Sequence, residues 1–253
     1  MKYLLDNVAW DDVRLHLINK NLILLPNKRT FIQKLLNRIY SFLQKKLSMV
    51  PGKLVVSEQI VENSLVLRNI RESDKRVLDF GGFESALPLQ LSALGYEVTV
   101  LDQRYYPFSH NNLKVLSSDI FADKLDIEEK FDVIISISTI EHLGLSAYGK
   151  SHYDEDADMR GAEILWNLLK PGGRFMVSVP AGKFSIQRGY RVYDEARIEK
   201  VFPHVTQIKW YKKEGREGTW SQVVKDGIRD LVYEEPYSRM PVEAIAFIIC
   251  DKS

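Results

Sequence analysis

Two glycines and two carboxylates stand at a spacing that suits the binding of a nucleoside-containing cofactor. Asp79 lies near the end of one apolar run and is followed by Gly81 and Gly82, and a second apolar run ends at Asp102. Glycines let the backbone approach a ligand closely, and a carboxylate about 20 residues further on accepts hydrogen bonds from ribose hydroxyls. Gly81 and Asp102 are 21 residues apart. The pattern therefore predicts a cofactor site that recognises a ribose.

One histidine is placed where a general base is needed. His142 follows the apolar run 131–137, at the strand end where open α/β sheets bind their ligands. Histidine is the side chain whose charge ordinarily changes closest to neutral pH, so it suits proton uptake from an oxygen nucleophile. The alternative is that Glu141 and His142 only fix the loop by hydrogen bonds. His142 is accordingly our candidate catalytic residue.

The following loop is rich in ionisable side chains. They are His152, Asp154, Glu155, Asp156 and Asp158. Carboxylate oxygens at this density are able to bind a divalent cation. A solvated loop with Asp158 capping a helix explains the same residues without a metal. We favour the second interpretation and predict no metal site.

The spacing of apolar residues predicts the strands and helices that would position these side chains. Strands are predicted at residues 77–80, 97–101, 113–116, 131–137, 174–179, 205–210 and 244–250. Helices are predicted at residues 53–70, 86–94, 158–169 and 194–202, and residues 212–241 form a polar connection. Strands that alternate with helices indicate an α/β fold with a doubly wound, mostly parallel sheet, here of seven strands.

Composition favours an ordinary globular protein in a reducing compartment. Of the 253 residues, 45% are hydrophobic and 27% are charged. Cys250 is the single cysteine, which excludes an internal disulfide framework. The sequence has no run of 18 apolar residues, and acidic residues follow Met1 closely instead of a signal-peptide core. We therefore predict a cytoplasmic location.

The net charge of +1 conceals a basic N-terminal segment. Residues 13–57 hold nine Lys or Arg and no acidic residue, which leaves 26 basic and 34 acidic residues elsewhere. Residues 28–47 show apolar side chains at helical spacing. This amphipathic helix either contacts a membrane surface or an anionic substrate, or packs on the main domain with a solvated basic face. Pro51 and Gly52 separate a predicted basic, helical appendage at residues 1–50 from a main domain at residues 51–253.

A series of motifs connects the chain to a known family. Residues 77–82, 98–102, 118–119, 131–134 and 169–173 follow one another at the spacing of one βα unit each. Together they resemble the class I S-adenosylmethionine-dependent methyltransferases. The resemblance implies a Rossmann-like fold, S-adenosyl-L-methionine as cofactor and S-adenosyl-L-homocysteine as product.

Four further segments are similar to a narrower group. Residues 88–96, 138–149, 179–180 and 191–194 are similar to methyltransferases of bacterial surface-glycan biosynthesis. This similarity implies an O-methyltransferase that acts on a sugar hydroxyl or a phosphate-type group during capsule or lipopolysaccharide (polysaccharide) biosynthesis. The expected partner is a small-molecule or glycan acceptor that is nucleotide- or phosphate-linked.

The resemblance also implies which residues contact the methionine part of the cofactor. The carboxylate of Asp79 would pair with the amino group, and the backbone at Gly81 and Gly82 would lie beside this moiety. Ser138, directly after the fourth strand, would face the amino-acid end. For Asp79, capping of the turn after its strand is the structural alternative.

Four other residues are implied at the nucleoside part. Asp102 would bind both ribose hydroxyls, with Gln103 as an adenine neighbour. Asp119 would accept a hydrogen bond from the adenine amine, and Ile120 would lie against the ring. As for Asp79, turn capping is the alternative role for Asp119.

The first loop departs from the family's pattern. The family has an acidic residue followed by three glycines at alternate positions, and this chain has Phe83 and Ser85 at the second and third of them. A phenylalanine ring that faced the site would crowd the methionine part of the cofactor. Phe83 therefore motivates an alternative function, a non-catalytic S-adenosylmethionine-binding partner of a glycan-assembly complex.

Two other function classes are disfavoured. A nicotinamide-dependent dehydrogenase would carry Gly-x-Gly-x-x-Gly in this loop, and the chain does not. Nucleic acid is not an expected partner, because the basic excess is confined to one segment and the remaining residues are net acidic.

Overall fold

The computed structural model describes residues 57–145, 153–187, 189–202, 204–215, 219–233 and 242–253. The predicted appendage at residues 1–50, with its basic helix at 28–47, lies outside these ranges. So does His152 of the acidic loop. Within the described ranges, no helix has the length and apolar character needed to cross a membrane.

A mixed β-sheet of eight strands carries the site. Its strands are β1 (Arg76–Phe80), β2 (Glu97–Asp102), β3 (Leu113–Ser117), β4 (Phe131–Ile137), β5 (Leu169–Pro180), β8 (Val205–Lys213), β9 (Trp220–Val223) and β10 (Ala244–Asp251). They lie in the order β3-β2-β1-β4-β5-β10-β8-β9. A separate two-stranded hairpin is formed by β6 (Ser185–Ile186) and β7 (Arg191–Val192).

The prediction of a seven-stranded sheet is wrong in number, and the sheet is less parallel than expected. β3, β2, β1, β4 and β5 pair in parallel, whereas β10 is antiparallel to both β5 and β8, and β9 is antiparallel to β8. The eighth strand, β9, lies within the polar stretch 212–241. As a four-residue edge strand without a fully buried residue, it lacks the apolar pattern that identifies central strands.

Helices cover both faces of the sheet. They are α1 (Glu58–Asn69), α2 (Leu87–Ala93), α3 (Ala157–Leu168) and α4 (Glu195–Val201). Successive residues of a strand point to opposite faces. Val77 of β1 accordingly belongs to the apolar cluster of α1 and α2, and its neighbour Leu78 belongs to the cluster of α3 and α4. Burial on two faces explains why the central strands read as continuous apolar runs.

The strand order reverses between β1 and β4. From β1 the chain moves through β2 to β3, and it then returns to the other side of β1 to form β4 and β5. The two crossovers leave in opposite directions, so a crevice opens beyond the carboxyl ends of β1 and β4, where α/β sheets bind ligands. Gly81 and Ser138 are the first residues after these two strands.

Candidate functional site

The loop after β1 is built on two glycines that have no room for a side chain. Gly81 has φ of 81°, in the left-handed region, and a Cβ atom there would overlap the side chain of Thr139. A Cβ atom on Gly82 would lie 3.0 Å from Cγ of Asp79. A side chain at Gly81 would displace Thr139 and one at Gly82 would crowd Asp79, so the packing of this loop favours glycine at both positions.

A cavity of about 460 Å³ occupies the crevice, within the range of about 300–1,000 Å³ that small-molecule sites occupy. It is lined by Gln59, Asn63, Asp79, Phe80, Gly81, Gly82, Ser85, Asp102, Gln103, Arg104, Ile120, Ile137, Ser138, Thr139, His142, Leu143, Gly144 and Leu145. The cavity wall therefore unites eight of the nine site residues expected from the sequence. Asp119 is the exception, and its Oδ1 accepts a hydrogen bond of 3.1 Å from the backbone N–H of Phe121. That contact corresponds to the turn-capping alternative.

Asp79 presents a buried carboxyl group to this cavity. Burial, and secondly the charge of Asp102, raises the pKa of Asp79 to about 7. Its Oδ2 has no hydrogen-bond partner among the described residues. A buried carboxyl oxygen without a partner favours a ligand that brings a positive charge or a donor.

The carboxylate of Asp102 is held by Arg104. Arg104 donates to Oδ1 of Asp102 from its backbone N–H at 2.9 Å and from Nε at 3.2 Å. Nη2 of Arg104 and the backbone N–H of Phe83 both lie 3.3 Å from Oδ2. The carboxylate is thus oriented at the cavity wall, with a guanidinium occupying some of its acceptor positions.

Phe83 does not crowd the site. Its ring lies beneath the guanidinium of Arg104, 4.2 Å from ring centroid to Cζ, and Phe83 is not part of the cavity wall. A cation over an aromatic face is a favourable contact. The departure from the family's glycine pattern therefore supports Arg104 and leaves the cavity open.

Glu62 is a site residue that the sequence analysis missed. It is fully buried on α1, and its Oε1 accepts hydrogen bonds from Ser138 Oγ at 2.8 Å and Ser178 Oγ at 2.6 Å. Burial raises the pKa of Glu62 to about 7, although the two hydroxyls act against this shift. Ser138 itself has φ of 46°, a left-handed conformation that a non-glycine residue rarely adopts. The sequence did contain a signal for its burial. Glu62 precedes Leu65 by three residues and Val66 by four, so it lies on the apolar face of the helix.

His142 is held with one ring nitrogen fixed. Its Nδ1 lies 2.5 Å from the carbonyl oxygen of Gly189. A carbonyl only accepts, so Nδ1 carries the hydrogen and Nε2 of the neutral ring keeps its lone pair. Nε2 lies 3.8 Å from Oε1 of Glu141, a carboxyl whose pKa burial raises well above its ordinary range. The ring is 27% exposed, so it is able to exchange a proton with solvent.

Arg191 of β7 fixes the segment that contains His142 and also the acidic loop that precedes α3. Its fully buried guanidinium donates to the carbonyl oxygens of Glu141 and Leu143 at 3.2 and 2.7 Å. It also donates to the carbonyl oxygens of Asp154 and Glu155, both at 2.8 Å. The β6–β7 hairpin thereby positions His142 through Gly189 and Arg191 together.

Glu155 and Asp156 of the acidic loop are exposed, as expected of a solvated loop, but Asp158 differs from its expected role. Asp158 is fully buried and pairs with Arg197 at 2.6 Å, and it also accepts from the hydroxyl of Tyr193 at 2.9 Å. It does not cap α3, whose N-cap position is Asp156. In the described ranges, no group of three or more His, Cys, Asp or Glu side chains is arranged to hold a metal ion.

A family model described as "Caenorhabditis protein of unknown function, DUF268" matches residues 101–224. A search of the curated proteins found no match.

Solved structures show the fold. A 1,6-didemethyltoxoflavin-N1-methyltransferase from Burkholderia thailandensis, solved with 1,6-didemethyltoxoflavin and S-adenosylhomocysteine, superposes with a TM-score of 0.53. It is 15% identical, over 91% of this chain and 93% of its own. A SAM-dependent methyltransferase from Methanosarcina mazei gives a TM-score of 0.51 at 12% identity, over 79% of this chain and 99% of its own. The chain has a Rossmann-like methyltransferase fold.

Proposed function

We propose that the chain is an S-adenosylmethionine-dependent O-methyltransferase that acts on a sugar hydroxyl or a phosphate-type group in surface-glycan biosynthesis. One observation carries the proposal: the cavity at the strand-order reversal unites Asp79, the glycine loop, Asp102 and His142. We further propose a cytoplasmic location, where the methyl donor is available. The surface-glycan part rests on the sequence similarity described above.

The residues of the cavity fit S-adenosylmethionine. Oδ2 of Asp79 is buried and has no partner among the described residues, so it is available to the amino group. Gly81 and Gly82 line the same cavity. Asp102 binds the ribose hydroxyls when they replace the guanidinium of Arg104. Gln103 and Ile120 line the same cavity, which supports their proposed assignment to the adenine ring. The Burkholderia neighbour, whose structure contains S-adenosylhomocysteine, supports this choice of ligand.

The chemistry asked of the protein is alignment and proton removal. The bound cofactor supplies a methyl group already activated on a sulfonium. The acceptor oxygen forms a bond to the methyl carbon as the carbon–sulfur bond breaks, and the electron pair stays on sulfur. Nε2 of His142 takes the hydroxyl proton, and alignment of the reactants contributes about 7–11 kcal/mol.

The non-catalytic alternative loses its motivation. It rested on a Phe83 ring that would obstruct the cofactor, and that ring packs under Arg104 outside the cavity wall. We therefore keep methyl transfer as the proposed activity.

Calorimetry with S-adenosylmethionine and S-adenosylhomocysteine tests the cofactor. We expect binding of both, weakened in Asp102→Asn and retained in the control Asp123→Asn, a change at an exposed residue outside the cavity. Absence of binding heat with either ligand would refute the proposal. Transfer of a labelled methyl group to a panel of nucleotide sugars and glycan precursors then tests the activity.

A further inference from the structure

Two amide side chains of α1 line the cavity. Gln59 and Asn63 are four residues apart, so they lie one helical turn apart on one face of α1. Both belong to the cavity wall. Among the residues that the structure describes, neither amide has a hydrogen-bond or ion-pair partner. Polar groups at such a wall are available to a ligand.

Glu62 holds this pair of amides in place. It lies between them on the helix, and its Oε1 accepts from Ser138 and Ser178, at the ends of β4 and β5. These bonds fix α1 against the sheet edge that also leads to the loop of His142. The amides are therefore presented on a rigid element, which lowers the entropic cost of binding.

The chemistry of the amides indicates a neutral, hydroxyl-rich ligand. Each amide offers donors and an acceptor without charge, and each sugar hydroxyl is both a donor and an acceptor. A phosphate needs positive charge or several donors. Within the described part of the wall, Arg104 is the only side chain with a permanent positive charge, and its guanidinium is paired with Asp102.

We propose that Gln59 and Asn63 form the acceptor subsite and bind adjacent hydroxyls of an uncharged sugar ring. The proposal rests on the proposed methyltransfer function and deepens it, because it selects a sugar hydroxyl over a phosphate-type acceptor. With two hydroxyls held by α1, a third hydroxyl of the same ring is presented within the cavity that contains His142. Gln59 and Asn63 thus determine specificity, while His142 removes the proton.

Saturation-transfer NMR on the full chain with S-adenosylhomocysteine bound tests the subsite. The probes are methyl α-D-glucopyranoside, methyl α-D-mannopyranoside and methyl α-D-galactopyranoside, with inorganic phosphate as competitor. We expect saturation transfer to at least one glycoside. Gln59→Ala and Asn63→Ala should each weaken it by roughly tenfold, as expected for loss of one or two neutral hydrogen bonds. Ser64→Ala, at an exposed position of the same helix, is the matched control and should bind like the wild type.

Calorimetry with S-adenosylhomocysteine separates the possible results. Affinity of both alanine variants within about threefold of the wild type, about 0.7 kcal/mol, supports an acceptor role and shows that the fold is intact. Four results would overturn the subsite. They are no glycoside signal in the wild type, an undiminished signal in both alanine variants, displacement of the glycoside by phosphate, or a loss of S-adenosylhomocysteine affinity in the variants as large as their loss of glycoside binding. Failure of the wild type to bind S-adenosylhomocysteine would instead refute the proposed function.

Discussion

His142 has the geometry of a base whose orientation is set by the backbone. The carbonyl of Gly189 fixes the hydrogen on Nδ1, so Nε2 is the atom that accepts a proton. The neighbouring carboxyl of Glu141 lies 3.8 Å from Nε2, too far for a hydrogen bond, and its burial favours the neutral form, so it does not compete for the ring nitrogen.

Replacing His142 by Ala should lower turnover by ~10²–10⁴ if it is the base, with little change in cofactor affinity. Single-turnover methyl transfer measures the first quantity and calorimetry with S-adenosylhomocysteine measures the second. His110→Ala, a change at an exposed histidine outside the cavity, is the control and should leave both unchanged. Turnover near that of the wild type would assign His142 a structural role.

Asp79 should make cofactor affinity depend on pH. Its pKa is about 7 in the free protein, because the carboxyl is buried and Asp102 lies nearby. A cationic amino group binds the ionised form, so affinity for S-adenosylhomocysteine should rise as pH increases from 5.5 to about 7, by at most about tenfold per unit, and then level off. Calorimetry across this range gives the profile.

The matching variant for this profile is Asp79→Asn, which should bind more weakly and show a flatter pH dependence. Glu62 titrates in the same range, so Glu62→Gln must be measured in parallel. An Asp79→Asn profile as steep as that of the wild type would assign the pH dependence to another group.

At the scale of elements, the β1 loop and the loop after β4 pack so closely that their shapes depend on each other. A Cβ atom on Gly81 would overlap the side chain of Thr139, which lies in the loop after β4. The β6–β7 hairpin adds a third element, since Gly189 and Arg191 hold the loop of His142. The site is thus assembled from segments that are more than 100 residues apart in sequence.

Gly81→Ala should abolish cofactor binding, because a methyl group there displaces Thr139 from the cavity wall. Gly172→Ala is a close control: its φ of 75° is also left-handed, but a Cβ atom there meets nothing within 4 Å. The control should lose only about 1 kcal/mol of stability from backbone strain and bind normally. Thermal unfolding and calorimetry measure the two effects, and equal losses in both variants would contradict the steric explanation.

At the scale of the whole molecule, buried acids should make the protein less stable as pH rises. The pKa of Glu62 is about 7 in the folded chain, above its ordinary 4.5, so the folded state holds a proton that the unfolded state has released between these values. The contribution of Glu62 to the free energy of unfolding is therefore fully present below about pH 4.5 and is lost as pH rises through about 7. This loss amounts to about 3 kcal/mol. Asp79 and Glu141 act in the same direction.

Glu62→Gln should remove part of this dependence. The amide keeps an acceptor for Ser138 and Ser178 but does not ionise, so the variant should match the wild type near pH 4.5 and exceed it in stability at pH 8. Urea unfolding at both pH values measures the difference. Identical pH profiles for the two proteins would exclude Glu62 as a source of the effect.

Much of this structure could be predicted because the parallel core has strong local signals. β4 was predicted at its observed bounds, since a strand covered on both faces is apolar throughout. Gly81 and Asp102 were found by spacing, because one βα unit separates the ends of β1 and β2. By contrast, β6 and β9 are short and only partly buried, and β7 is buried but has only two residues, one of them an arginine, so all three escaped the same criterion.

Sequence alone determined the α/β class and predicted the carboxylate proposed to bind ribose and the candidate base, because each depends on residue type and on spacing along one βα unit. Tertiary structure decided which polar groups are satisfied. Phe83 supports Arg104 instead of filling the cavity, Asp158 is buried with Arg197, and Glu62 joins α1 to β4 and β5. These pairings arise between distant segments, and their energies depend on burial and direction, which no local pattern encodes.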